Sequence, residues 1–183
     1  MSRIVIPSKE TAPAASRPLL DAVEKSLGVV PNLFRLLSLS PAALEGLLGL
    51  NGALGAALDL KTRERIAIAV AEVNGCDYCL SAHSYLGLNL AKLDQQEIDL
   101  NRAGRSGDAH ADVAIRFAAK VASKRGHIEA ADLLALRAAG YTDANIVEIV
   151  VVVALNVLTN YTTNVADTEI DFPKVDITLQ PVA

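Results

Sequence analysis

The feature that most constrains the fold is where proline is missing. Of seven prolines, those at 7, 13, 18, 31 and 41 crowd the first quarter and those at 173 and 181 lie in the tail, leaving none between Ala42 and Phe172. Proline removes a backbone donor and breaks helix interiors, so its exclusion from a long Ala/Leu-rich span punctuated by glycines and capping residues predicts helix after helix. We therefore expect an all-α, compact multi-helix fold. With 183 residues and 51% apolar content, the chain is sized for one well-buried domain over 1–183, its core at about 42–170, preceded by a helical extension and followed by a short arm from Asp176.

Local signals divide the span. Pro18 opens a short helix ending at Gly28, and Pro31 opens another carrying Leu33, Phe34, Leu36 and Leu37. Ser40 before Pro41 is an N-cap followed by a proline at the first helical position. Gly46, Gly49, Gly52 and Gly55 along that helix mark either close helix contact or merely tolerated small residues. Lys61 to Val73 enters the interior, and Asn74-Gly75 bends the chain before a helix that starts near Cys76. Asp94 and Glu97 form a capping-box pattern, and Asp108 caps a helix to about Lys124. Ile128 to Ala138 and Thr142 to about Ala166 complete the set, with Gly126 and Gly140 as stops. Ile149 to Val153 is strand-like in composition, but its length and its cap at Thr142 favour a buried helix.

Chemistry concentrates in Glu72 to His83, which holds both cysteines and one of the three histidines. On a helix, Cys76, Cys79 and His83 fall within an arc of roughly 60°, and Glu72 shares that face. Thiols three residues apart can close a small disulfide, and an imidazole one turn beyond can accept and return a proton. Proximity to His83 favours Cys79 as the activated thiol, whereas the helix macrodipole favours Cys76, and the residues alone leave the order open.

Composition narrows the partners. A formal charge of −4 and a pI near 5.4 leave no basic footprint for nucleic acid or anionic lipid. Met1 to Pro7 lacks the basic and apolar regions of a leader, and the longest apolar run, Ile149 to Leu158, is too short to span a bilayer. We expect a cytosolic protein, where closely spaced cysteines serve catalysis or metal binding more often than stapling.

Cys76-x-x-Cys79-x-x-x-His83, with Glu64 upstream, resembles the redox motif of the carboxymuconolactone decarboxylase superfamily, and more closely its alkyl hydroperoxidase D-like, peroxidase-related branch. The flanks agree: Val30-Pro-Asn-Leu-Phe34, Ser40-Pro41, Arg63-Glu64, Val70 to Cys79 and Thr168 to Pro173. The resemblance covers nearly the whole chain. It implies an all-helical fold assembled as trimers or hexamers, and a thiol peroxidase or disulfide reductase that needs no metal or organic cofactor. It further implies that Cys79 attacks the hydroperoxide, Cys76 resolves the sulfenic acid as a disulfide, and His83 and Glu64 relay protons. The external reductant can be a lipoyl group on a partner protein. A position that is histidine in well-studied members is Tyr78 here.

Other readings stand beside this one. Both thiols and His83 can be buried structural residues, or they can bind zinc with Glu72 as a fourth ligand. A non-peroxidatic helical oligomer whose cysteines sense redox state or reduce disulfides is the functional alternative, and lactone decarboxylation is a third that the cysteine pair argues against. On a continuous helix Glu64 points about 120° from Cys76, and beside Arg63 and Arg65 it reads as an exposed ion pair unless the bend redirects the chain. Tyr78 and Tyr85 read as pocket wall or core. Asn156, Asn160 and Asn164 form a polar stripe that faces either the thiol pocket or a subunit interface, because buried amides demand partners. The apolar surface around Val150 to Leu158 suggests burial in an oligomer.

Overall fold

A computed structural model describes residues 2–178. After a 3₁₀ turn at Ala14–Ser16 it contains α1 Arg17–Leu27, α2 Asn32–Leu37, α3 Pro41–Ala57, α4 Leu60–Val73, α5 Asp77–Asn89, α6 Gln95–Arg102, α7 Ala109–Ser123, α8 Ala130–Ala138 and α9 Asp143–Ala166, with no strand among the described residues. The all-α expectation holds, including Ile149 to Val153, which lies inside α9.

The caps explain the boundaries. Ser40 accepts from the Ala43 N–H, Asp59 from Thr62, Asp94 from Glu97 and Asp108 from His110 and Ala111. Thr142 and Asn145 form a reciprocal capping box at the start of α9. The box expected at α6 is only half made: Asp94 caps, but the Glu97 side chain turns away to Arg65 at 2.8 Å and to the Gly107 N–H at 2.8 Å. A guanidinium and a loop amide are stronger partners than one backbone donor.

α4 is the central element, packed on α5, α6, α7 and α9. Every residue from Ile66 to Glu72 is buried. Such complete burial is possible because the run contains only Ile, Ala and Val before the Glu, and each fully buried Ile or Val stabilises by about 1.5–3 kcal/mol. One side of α4 meets the main core, with Leu44, Leu54, Ile115, Phe117, Ile149 and Val153. Its other side meets a second cluster of Ile68, Ala71, Leu80, Leu93, Ile98 and both cysteines. The thiols thus sit between α4 and α9 rather than at the rim.

Nothing lies within 4 Å of a side chain built at Gly46, Gly49 or Gly52, and Gly55 meets only the Arg63 guanidinium at 3.7 Å, so the glycines of α3 mark an open face rather than close helix contact. α9 is long and apolar enough, by length and composition, to cross a membrane, with a mean hydropathy of 1.6, but half of that stretch is buried against the rest of the fold. The arm expected from Asp176 is described only to Thr178; 179–183 lie outside the described residues.

Candidate active site

Gly75 makes the site. α4 stops at Val73, and Gly75 adopts φ 62°, a left-handed conformation that a side chain disfavours, so the Cys76 N–H turns back onto the Ala71 carbonyl at 3.0 Å. Cys76 then becomes the N-cap of α5 with extended backbone, and its sulfur accepts the Cys79 N–H at 3.2 Å, the role a serine or aspartate usually plays. Both cysteines are free thiols, 0% and 2% exposed. α9 supplies their shared partner: the Thr163 hydroxyl lies 3.1 Å from the Cys76 sulfur and 3.4 Å from the Cys79 sulfur. The same hydroxyl is 3.0 Å from the carbonyls of Thr159 and Asn160, which set its rotamer.

The two thiols are driven apart electrostatically. A hydrogen bond from Cys79 is the largest influence lowering the Cys76 pKa, outweighing burial, and Thr163, the Cys79 N–H and the His83 charge lower it further. Burial pushes the Cys79 thiol well up, and the neighbouring Cys76 adds to that. Cys76 is therefore the more acidic sulfur, and Cys79 carries the proton between them, as the macrodipole argument favours.

His83, one turn beyond Cys79, places Nδ1 2.8 Å from Glu64 Oε2. Burial pushes the imidazole pKa down, but the Glu64 carboxylate, by charge and hydrogen bond, more than offsets it and leaves it raised. Glu64 is buried in α4 rather than paired with its arginine neighbours: Arg65 holds Glu97, and the Arg63 Nε donates to the Leu58 carbonyl. The chain reversal at Gly75 lays α5 against α4, so a carboxylate that spacing alone directs away from the thiols reaches their histidine.

Glu72 departs from expectation. The bend removes the one-turn relation to Cys76, and its carboxylate instead accepts from the Arg102 Nε at 2.9 Å and from the Thr178 N–H and hydroxyl, both at 2.7 Å. Its place as a fourth zinc ligand is lost with that geometry, and among the described residues no group of three or more His, Cys, Asp or Glu side chains is arranged to hold a metal. Tyr78 is core, as one reading of the sequence has it: its hydroxyl accepts the Leu33 N–H at 3.0 Å, burial raises its pKa, and its ring meets Phe172 edge-on at 5.9 Å. Tyr85 also lies against Phe172, at 6.0 Å, and is partly exposed.

The chain end closes over this side. Val175 N–H donates to the Ser81 hydroxyl at 2.9 Å and Ile177 N–H to Asp77 at 3.0 Å, while Phe172, Val175 and Ile177 pack on the cluster that contains the thiols.

Thr163 is the site residue that the sequence did not signal, and Asn160 entered only as a member of the asparagine stripe, with no site role. Two members of that stripe bear on the bend. Asn160 Oδ1 accepts from the Asn74 amide at 2.8 Å, and Asn164 donates to the Asn74 carbonyl at 3.2 Å, whereas Asn156 returns to the Val152 carbonyl of its own helix.

The carboxymuconolactone decarboxylase family profile matches residues 41–124, from α3 through α7 and across Glu64, both cysteines and His83. Over these residues the chain belongs to this family. Among solved structures, a peroxidase-related protein with an alkylhydroperoxidase AhpD core from Ralstonia eutropha JMP134 is 26% identical over 93% of this chain and 92% of that one, with a TM-score of 0.83. A peroxidase-related protein from Silicibacter sp. TM1040 is 25% identical over 92% and 91%, with a TM-score of 0.79. These place the chain in the alkyl hydroperoxidase D-like branch of the carboxymuconolactone decarboxylase superfamily. A cysteine-to-alanine variant of the debrominase Bmp8 bound to 2,3,4-tribromopyrrole shares the fold at 18% identity over 86% of each chain, with a TM-score of 0.74. No curated protein matches the chain. The family match ends before α9, so Asn160 and Thr163 lie beyond it.

Proposed function

We propose that this carboxymuconolactone decarboxylase family member is a thiol-dependent peroxidase that reduces alkyl hydroperoxides by cycling Cys76 and Cys79 between dithiol and disulfide, with His83 and Glu64 relaying protons. The observation that carries this reading is a pair of reduced sulfurs sharing the Thr163 hydroxyl on the same helix as a histidine whose Nδ1 is fixed by a buried carboxylate.

These contacts support the following cycle. The proton between the sulfurs passes from Cys79 to Cys76, and the Cys79 thiolate attacks the distal peroxide oxygen. The S–O bond forms as the O–O bond breaks, and His83 gives the leaving oxygen its proton, so an alcohol or water departs. Glu64 holds Nδ1 and favours the imidazolium that makes this transfer available. Cys76 then attacks the sulfenic sulfur, closing the disulfide and releasing water before a second oxidation makes the change irreversible. An external dithiol returns two electrons; a lipoyl group on a partner protein is the donor class that the family resemblance suggests.

We place the protein in the cytosol as a homo-oligomer, a trimer or hexamer of single-domain chains. Its support is an apolar strip on the outer face of α9, where Val147, Val150, Leu158, Tyr161 and Val165 are all exposed.

One observation favours the non-peroxidatic alternative, a redox sensor or disulfide reductase: both sulfurs are sealed from solvent. Hydroperoxide consumption driven by excess dithiothreitol separates the two. The expected result is turnover that disappears in Cys79→Ser, together with a sulfenic-acid adduct on Cys79 in peroxide-treated Cys76→Ser. Reversible oxidation without turnover would assign the protein to the sensor class.

A further inference from the structure

Asn160 is the buried polar residue that the cycle above leaves unused. It is 0% exposed, and Asn74 donates to its Oδ1 at 2.8 Å, which fixes the amide plane and commits Nδ2 to the opposite side. That Nδ2 has no hydrogen-bond partner. Asn160 lies one turn before Thr163 on α9, the residue whose hydroxyl is 3.4 Å from the Cys79 sulfur, and its side chain favours the charged form of that sulfur. A buried donor without an acceptor is destabilising, so its retention points to a state of the molecule in which the acceptor is present. A thiol accepts hydrogen bonds weakly, whereas a thiolate accepts them strongly.

We propose that Asn160 holds the charged form of the Cys79 sulfur through its free amide hydrogen, so that of the two sulfurs Cys79 is the one that meets the hydroperoxide. The inference rests on the peroxidase reading for the attack itself. When Cys79 passes its proton to the Cys76 thiolate, the negative charge arrives on the sulfur whose charged form Asn160 and Thr163 favour. That sulfur takes the distal oxygen of ROOH as HO, the O–O bond breaks, RO⁻ leaves and collects the His83 proton, sulfur loses two electrons and the peroxide gains two. Without the amide, the charge stays on Cys76. The titratable groups that face Cys79 are Cys76 and Tyr78 from the same turn, with His83 acting through Cys76, whereas the α9 residues facing it are neutral.

The test reads the thiol rather than turnover. In a Cys76→Ser background, the rate of Cys79 alkylation by iodoacetamide is followed against pH in the parent, in Asn160→Leu and in Asn160→Asp, which keeps the amide's shape and turns the donor into an acceptor. We expect both profiles to move to higher pH, with alkylation near neutrality slowed roughly tenfold, while the titration of the His83 ring stays in place. Asn74→Ala, which removes only the group that orients the amide, should move the profile in the same direction by less and serves where an Asn160 variant fails to fold. Profiles that coincide with the parent in variants of unchanged circular dichroism would overturn the inference. A shifted profile in a protein that consumes no hydroperoxide would sink the peroxidase reading and leave the Asn160 assignment standing; consumption with unshifted profiles would do the reverse.

Discussion

His83 is held by two opposed influences, burial pushing its pKa down and Glu64 pushing it up past the ordinary 6.5. A cationic group with a raised folded pKa contributes stability that is complete below its unfolded value and is lost as pH rises through the folded one. Glu64→Gln keeps the shape and removes the charge, leaving burial to dominate. Its ring titration, followed by NMR, should fall from above 6.5 to below it, and the stability gap between parent and variant should be wider at about pH 6 than at about pH 9. An unmoved titration would remove Glu64 from the proposed relay. At this scale the sequence was partly legible. Cys76, Cys79 and His83 could be grouped from spacing, because two turns of chain hold them. Glu64 came only from resemblance, since on a straight helix it points elsewhere. Thr163 was invisible, because its contact with Cys76 joins residues 87 apart in sequence and depends on how α9 lies across α5.

Among the elements, the break between α4 and α5 was readable from Asn74-Gly75, and α3 and α9 from their caps. What those helices would face was not. Glu72 looked like a neighbour of the thiols and is instead the buried anchor of the chain end, fully covered and met by Arg102, whose side chain is itself mostly buried. Removing the cation strands much of that charge, so Arg102→Met should lower stability to denaturant by about 3 kcal/mol. Because Arg102 also donates to the Asp176 carbonyl at 2.8 Å, the variant should speed amide exchange at Ile177 and Thr178, whose N–H groups bond to Asp77 and Glu72. Unchanged exchange at those two amides would mean that the segment is held by its apolar contacts alone.

For the molecule as a whole, the open glycine face of α3 and the apolar strip of α9 lie on packed neighbours and carry little charge. If a second copy covers that surface, Leu158→Lys should shift the species seen by analytical ultracentrifugation to the monomer while leaving helicity intact; an unchanged assembly would place the interface elsewhere. The thiol site carries its own consequence. One hydroxyl, Thr163, stands within reach of both sulfurs and of two carbonyls, and it has a single hydrogen to share among them. Swapping which cysteine is charged therefore requires only that a proton hop and an O–H bond swivel. The reduced centre can be primed with every heavy atom at rest, and heavy atoms first move when the two free sulfurs close to bonding distance.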